Sequence, residues 1–111
     1  MNKFTLLTGS ALLLTAGAVF AEPHADEALK HAQEAVTHGK AGRSVVLVEH
    51  AETALQHAEK AAEAAKGDAQ HHMHEAVTAL KSAIEHGKLE HAEMATHSAE
   101  DAITHLKAGN K

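Results

Sequence analysis

The 111-residue sequence contains no cysteine, tryptophan or tyrosine and only one proline. Without cysteine, a disulfide framework and a thiolate metal site are both excluded. Both phenylalanines, Phe4 and Phe20, lie within the segment 1–21, so the rest of the chain has no aromatic side chain other than histidine. The formal net charge of −5 and the missing aromatic platforms make nucleic acid an unexpected partner.

The N-terminal segment 1–21 has the features of a secretory signal peptide. Lys3 provides the positive start, a leucine-rich apolar stretch follows, and Val19-Phe20-Ala21 precedes the expected cleavage site. Ala16-Gly17-Ala18 is an alternative cleavage site. A permanent membrane anchor is the other interpretation, but the stretch is interrupted by Thr and Gly and is slightly short for a span. We expect a mature chain that begins at Glu22, is exported and has no membrane contact after cleavage.

Residues 22–111 are expected to form one small domain. All 12 histidines and all 15 acidic residues lie in this part of the chain. It is rich in Ala, Glu, Lys and Leu, which favour helices. A domain of this size without disulfides must be stabilised by packing, by oligomerisation or by bound metal. We expect a monomer whose metal-free form is only marginally stable.

Proline and glycine positions predict four helices. Pro23 is placed for the first turn of a helix, and Ser44 and Asp68 are candidate N-caps. Glycines at the expected breaks divide the chain into helices of about 23–38, 44–66, 69–86 and 88–107.

The chain also contains an internal repeat. The segment Val36-Thr37-His38-Gly39-Lys40 is similar to Ile84-Glu85-His86-Gly87-Lys88, and His-Ala-Glu follows each, at 50–52 and at 91–93. Residues 22–67 and 68–109 are therefore interpreted as two copies of one helical hairpin. Their alanine-rich apolar stripes, spaced by three and four residues, can be buried only against each other. This predicts an all-α, up-down-up-down antiparallel four-helix bundle.

Most histidines lie on one flank of the apolar stripe when each helix turns by about 100° per residue. Matching flanks of adjacent antiparallel helices face each other, so histidines on that flank should pair across a groove. The first hairpin turn then pairs His31 with His50 and His24 with His57. The second turn pairs His86 with His91 and His72 with His105.

Acidic residues join these histidine flanks. Glu27 and Glu34 each lie three residues after one histidine and four before the next. Glu75 follows His72 by three residues, and Asp101 lies on the flank of the fourth helix. Carboxylate and imidazole therefore occupy neighbouring helical positions.

The densest group of histidines is His71-His72-Met73-His74 at the start of the third helix. Adjacent residues on a helix point apart, so the three histidines cannot serve one ion, and Glu75 can pair with His71 or with His72. Met73 is expected in the core. Met94 lies on the histidine flank and is a candidate soft ligand. His97 lies away from that flank and is expected to be solvated.

Imidazole nitrogen and carboxylate oxygen suit Cu(II), Ni(II) and Zn(II), and the Irving–Williams order places Cu(II) first. Ferritin-like di-iron chemistry requires Glu-x-x-His, which the sequence does not contain. Because an imidazole must be neutral to bind metal, we expect the ions to be released as pH falls through about 6.

The His-Ala-Glu units, the seven-residue histidine spacing and the Gly-Lys hairpins of this cysteine-free chain together resemble the small metal-binding protein family. The resemblance covers the mature chain and implies a periplasmic four-helix bundle that binds several divalent ions, copper especially, and buffers or stores them. It implies ligands at His24, His31, His38, His50, His57, His72, His86, His91 and His105. The gap at Ala79 and Ser98, where a further facing histidine pair would lie, predicts fewer sites in the second hairpin.

We therefore expect a periplasmic protein that sequesters Cu(II), with Ni(II) and Zn(II) as further candidates. The sequence contains neither a setting for a catalytic nucleophile nor a phosphate-binding loop, so we do not expect an enzyme. The alternative is a helical periplasmic chaperone or a pH-responsive interaction protein. The complete set of predicted metal ligands is His24, His31, His38, His50, His57, His71, His72, His74, His86, His91, His105, Glu27, Glu34, Glu75 and Asp101.

Overall fold

A computed structural model describes residues 22–110, and the predicted signal peptide at 1–21 lies outside the described residues. Four helices occupy the described part of the chain, and no strand occurs in it. The predicted all-α four-helix bundle is confirmed. Within residues 22–110, none of the helices combines the length and the hydropathy that a membrane span requires. The helices are α1 (Pro23–Lys40), α2 (Ser44–Ala64), α3 (Gly67–Lys88) and α4 (Ala92–Gly109).

The helices pack mainly against their neighbours along the chain, and α1 also packs against α4, which closes the bundle. Lys40, the last residue of α1, places its Nζ 3.7 Å from Glu100 Oε2, which lies midway along α4. Near the start of α1, Asn110 Nδ2 donates to Asp26 Oδ1 at 2.6 Å. Residue numbers therefore rise along one helix as they fall along the other, so α1 and α4 run antiparallel.

Of the four helices in the described part of the chain, α1 alone begins with a side-chain cap. Glu22 Oε1 accepts a hydrogen bond from Ala25 N at 3.0 Å, and Pro23 takes the first helical position as predicted. The predicted N-caps at Ser44 and Asp68 are wrong, because Arg43 and Lys66 hold those positions. Asp68 lies inside the first turn of α3, where its negative charge faces the positive end of the helix dipole.

The two hairpin turns have the same backbone structure. Arg43 N donates to His38 O at 2.9 Å, and His91 N donates to His86 O at the same distance. Gly42, at a φ of 77°, and Glu90, at a φ of 62°, take the left-handed conformation at equivalent positions. The second turn therefore lies at 89–91, and the predicted start of the fourth helix at Lys88 is wrong, since α4 begins at Ala92.

Gly39 and Gly87 are the next-to-last residues of α1 and α3, so each helix ends two residues beyond its predicted end. Both are buried inside α1 and α3 at close contacts with other helices. A Cβ atom on Gly39 would collide with Thr96 and Leu47, and one on Gly87 would collide with Val48. These glycines are therefore explained by close helix packing rather than by a turn.

With the turns aligned, His91 corresponds to Arg43, and the repeat continues into the fourth helix without a gap. His-Ala-Glu at 91–93 was predicted to be the counterpart of 50–52, and this is wrong. The counterpart of 50–52 is Ser98-Ala99-Glu100. The prediction failed because the residues just before α4 belong to the turn and not to the helix.

The core between the helices consists mostly of alanine. The largest fully buried side chains are Leu47, Met73, Leu80 and Leu106, so Met73 lies in the core as predicted. Alanine allows close helix approach but removes little apolar area from water, at roughly 25 cal/mol for each Å². The polar side chains that pair between helices, mostly histidines, lie in the grooves beside this core.

We expect Glu90→Gly to raise the free energy of unfolding by about 1 kcal/mol. Glu90 has a φ of 62°, which is sterically costly for a residue with a Cβ atom and not for glycine. Urea unfolding of the metal-free protein followed by circular dichroism measures the change. Leu89→Gly is the matched control, because Leu89 has a φ of −89° and gains nothing from glycine. An equal gain in both variants would contradict this explanation.

Candidate metal centre

Five half-buried histidines line the groove between α1 and α2. The seven-residue spacing keeps each on the same flank of its helix, and the rings from the two helices alternate. We call this set the histidine ladder; it consists of His24, His57, His31, His50 and His38. Neighbouring ring centroids along the ladder lie 5.2, 6.2, 5.5 and 5.4 Å apart. The groove therefore presents a continuous row of imidazoles to solvent on one side.

The predicted cross-helix pairs of the first hairpin are confirmed as geometry. His24 Nδ1 lies 3.0 Å from His57 Nδ1, and His31 Nδ1 lies 3.3 Å from His50 Nδ1. In each pair, one ring nitrogen donates a hydrogen bond to the other. When both rings carry their proton on Nε2, both Nδ1 atoms have a lone pair available for a cation.

The pair His31–His50 is completed by a carboxylate. Glu34 Oε1 lies 3.3 Å from His31 Nδ1 and 3.2 Å from His50 Nδ1. We call His31, Glu34 and His50 the triad. It is the only group of three histidine or acidic residues within 22–110 whose ligand atoms all lie within 4.8 Å of one another.

The dimensions of the triad fit a transition-metal ion. The three ligand atoms form a nearly equilateral triangle, and dividing its side by the square root of three places its centre about 1.9 Å from each atom. Zinc–nitrogen and zinc–carboxylate distances are about 2.0–2.2 Å. An ion slightly above the plane of the triangle would reach these distances without movement of the backbone.

Partial burial suits the triad to reversible binding. The side chains of His31 and His50 are 23% and 26% exposed, and that of Glu34 is 44% exposed. Reduced contact with water strengthens the attraction between the carboxylate and a cation. The remaining exposure leaves a path by which an ion and its water ligands can enter.

Glu27 lies on the other side of His31 from the triad. Its Oε1 is 3.9 Å from His31 Nε2, whereas the triad uses Nδ1. This contact is longer than a hydrogen bond, and Glu27 is exposed to solvent. Glu27 is therefore a neighbour of His31 that lies outside the triad.

The two ends of the ladder differ from its centre. His38 Nδ1 accepts a hydrogen bond from Arg43 Nη1 at 3.3 Å, and the positive guanidinium disfavours a cation there. The pair His24–His57 provides two nitrogens, and no acidic residue of the described chain forms an ion pair with either. The centre of the ladder is therefore its best metal site.

The second hairpin repeats the ends of this arrangement without its centre. His72 Nδ1 lies 3.2 Å from His105 Nδ1, as His24 lies beside His57. At the positions that correspond to Glu34 and His50, Ser82 Oγ lies 3.0 Å from Ser98 Oγ. The counterpart of His31 is Ala79. The hydroxyl pair thus replaces the triad, at the gap that the sequence predicted.

The fourth predicted pair lies at the second turn. The ring centroids of His86 and His91 are 6.3 Å apart, the longest separation among the four predicted pairs. His91 is exposed at the N-cap of α4 and so meets His86 across the turn rather than across a groove between two helices. His86 Nδ1 is buried and has no hydrogen-bond partner among residues 22–110.

The dense histidine cluster does not converge on one point. His72 lies in the groove between α3 and α4, whereas His71 and His74 are exposed to solvent. Glu75 Oε2 lies 3.5 Å from His71 Nε2, so the pairing with His71 is the one observed. Asp101, also a predicted ligand, is exposed and forms no ion pair within the described residues.

The bridging position of Glu34 was missed in the sequence. Glu34 was predicted only as a neighbour of the histidines on its own helix, but it also contacts His50 on α2. The turn register contained a signal for this, because His50 faces His31 and Glu34 is one helical turn further along. His97 pairs with Glu100 at 3.4 Å and is 73% exposed, in agreement with its predicted solvation.

A family model described as "Small metal-binding protein" matches residues 1–109. The match covers both hairpins and therefore includes the histidine ladder and its counterpart. A search among curated proteins gives no match for this chain.

Proposed function

The chain belongs to the small metal-binding protein family, and we propose that it holds several divalent transition-metal ions, Cu(II) first, for sequestration, buffering or storage. The observation that carries this proposal is the triad, in which His31, Glu34 and His50 place three ligand atoms 3.2–3.3 Å apart around one point.

The ligand set favours Cu(II) over the other divalent ions. Two imidazole nitrogens and one carboxylate oxygen are ligands that Cu(II), Ni(II) and Zn(II) accept, and nothing in this set opposes the Irving–Williams order. Water would fill the remaining coordination positions. The negative charge of Glu34 offsets part of the charge of the ion, and the acidic surface of the protein attracts cations.

We expect the triad to fill first and the two-histidine pairs to fill later. His24–His57 and His72–His105 each offer two nitrogens at 3.0–3.2 Å and need two or more water ligands. An ion with more protein ligands is held more tightly, so the sites should differ in affinity. A protein with graded sites takes up ions over a range of concentrations, as a buffer does.

The proposed activity is binding and release without catalysis. The metal is the cargo, and the half-buried ligands allow the ion to pass between the protein and the solvent.

The secretory signal features of residues 1–21 support a periplasmic location and a mature chain that begins at Glu22. We propose that this mature chain acts as a monomer. Mass spectrometry of the metals in protein isolated from its own periplasm would identify the physiological ion.

We expect Cu(II) binding to weaken by more than about tenfold when the pH is lowered from about 7.5 to about 5. An ordinary imidazole is protonated near pH 6.5, and a protonated ring nitrogen cannot bind a metal. Calorimetric titration in buffers with little affinity for copper measures the change. Ca²⁺ is the control, because it binds carboxylates and not imidazoles. Equal Cu(II) affinity at both pH values would exclude histidine ligation.

A further inference from the structure

Observed contacts show which flank of α4 faces the groove between α3 and α4. His72 Nδ1 lies 3.2 Å from His105 Nδ1, and Ser82 Oγ lies 3.0 Å from Ser98 Oγ. Met94 lies four residues before Ser98, so helical spacing places it on the same flank of α4.

His86 and His91 lie at the turn end of this groove, with ring centroids 6.3 Å apart across the second turn. Met94 lies three residues after His91, about one helical turn into α4. Two imidazoles and a thioether are therefore found at the same end of the groove.

We propose that His86, His91 and Met94 form a separate site for Cu(I), which we call the thioether site. Thioether sulfur is soft and polarizable, and soft ligands select Cu(I) over Cu(II) and Zn(II). Two imidazoles and one thioether provide three ligands. This site rests on the proposed function to the extent that copper is the cargo, but it uses none of the residues of the triad.

The unpartnered nitrogen of His86 supports the thioether site. His86 Nδ1 is buried and has no hydrogen-bond partner within 22–110, although buried polar atoms are nearly always paired. Its counterpart, His38 Nδ1, accepts a hydrogen bond from Arg43. In the second hairpin, His91 stands at the position of that arginine. His86 Nδ1 therefore has a neighbouring imidazole where His38 Nδ1 has a guanidinium donor.

The two methionines of residues 22–111 differ sharply in accessibility. Met73 is 1% exposed in the core, whereas Met94 is 52% exposed beside the second turn. The counterpart of Met94 in the first hairpin is Val46, which has no donor atom. The changes from Arg43 to His91 and from Val46 to Met94 together convert one turn into a ligand set. The first hairpin thus holds the site for Cu(II), and the second turn holds the site for Cu(I).

The test uses the protein without residues 1–21, labelled with ¹³C at the methionine methyl groups. Anaerobic addition of one equivalent of Cu(I) should shift the Met94 methyl signal and leave the Met73 signal in place. One equivalent of Zn(II) should bind the triad and leave both signals in place. A Met94 methyl signal that does not respond to Cu(I) overturns the thioether site.

A matched variant measures the contribution of the sulfur. We expect Met94→Leu to weaken Cu(I) binding by at least about tenfold in competition with a Cu(I) chelator, while Zn(II) affinity stays unchanged. Met94 is largely exposed, so the fold should be retained, and circular dichroism checks this. Unchanged Cu(I) affinity in Met94→Leu overturns the proposal. Failure of the triad would appear separately, as unchanged Zn(II) affinity when His31 and His50 are replaced.

Discussion

The combined variant His31→Ala, Glu34→Ser and His50→Ser is expected to lose the tightest Cu(II) site and to bind one ion fewer. These are the residues that the second hairpin carries at 79, 82 and 98, so the variant copies a local structure that the bundle already contains. All three ligand atoms around the proposed ion are lost, and we expect affinity for the first ion to fall by at least about a hundredfold. This exceeds the range of about 10–100-fold for loss of a residue that only supports a ligand. Competition with a Cu(II) chelator measures the affinity.

The control for this variant removes a histidine–glutamate pair outside the groove. His97→Ala with Glu100→Ser deletes a pair of the same three-residue spacing, in which His97 is 73% exposed. We expect affinity for the first ion and the number of bound ions to remain unchanged. If the triad variant bound the first ion as tightly as the control does, the triad could not be the primary site.

The reciprocal change is expected to build a second triad. Ala79→His, Ser82→Glu and Ser98→His should add one bound ion, with an affinity within about tenfold of that of the first triad. The reason is the shared register, since the flanking pairs His72–His105 and His24–His57 have nitrogen separations of 3.2 and 3.0 Å. Counting bound ions by mass spectrometry under non-denaturing conditions measures the gain.

A double variant separates the carboxylate from the histidines. Ala79→His with Ser98→His, which keeps Ser82, should bind the added ion more weakly because it lacks the bridging carboxylate. Ala79 is only 7% exposed, so both variants are expected to melt at a lower temperature without metal. We call the triple variant that carries the second triad the graft. Bound metal should restore stability to the graft, because a ligand of the folded state stabilises that state. A graft that folds but binds no extra ion would show that the backbones of the two hairpins do not position ligands in the same way.

Together these variants separate histidine content from histidine placement. The triad variant still has ten histidines, whereas the graft has fourteen. If metal binding followed histidine number alone, the first change would be small. The geometry instead predicts that one carboxylate between two facing rings determines the primary site. The other histidines then supply weaker sites.

The sequence by itself was sufficient for the number and order of the helices and for three of the four cross-helix histidine pairs. A seven-residue spacing keeps His24, His31 and His38 on one flank, and a tight turn fixes which residues of α2 face them. Both are local properties of the chain, so the register followed from counting residues. The alanine-rich core followed in the same way, from spacings of three and four residues.

The tertiary structure alone decided the features that depend on contacts between helices. The sequence indicates helix breaks at Gly39 and Gly87, whereas the structure shows that a Cβ atom at either position would collide with side chains of other helices. The contact of Glu34 with His50 depends on side-chain conformations in the α1–α2 groove, which helical spacing on one helix does not specify. Periodicity determines which flank a residue occupies, whereas the distance between two ligand atoms depends on how closely two helices approach.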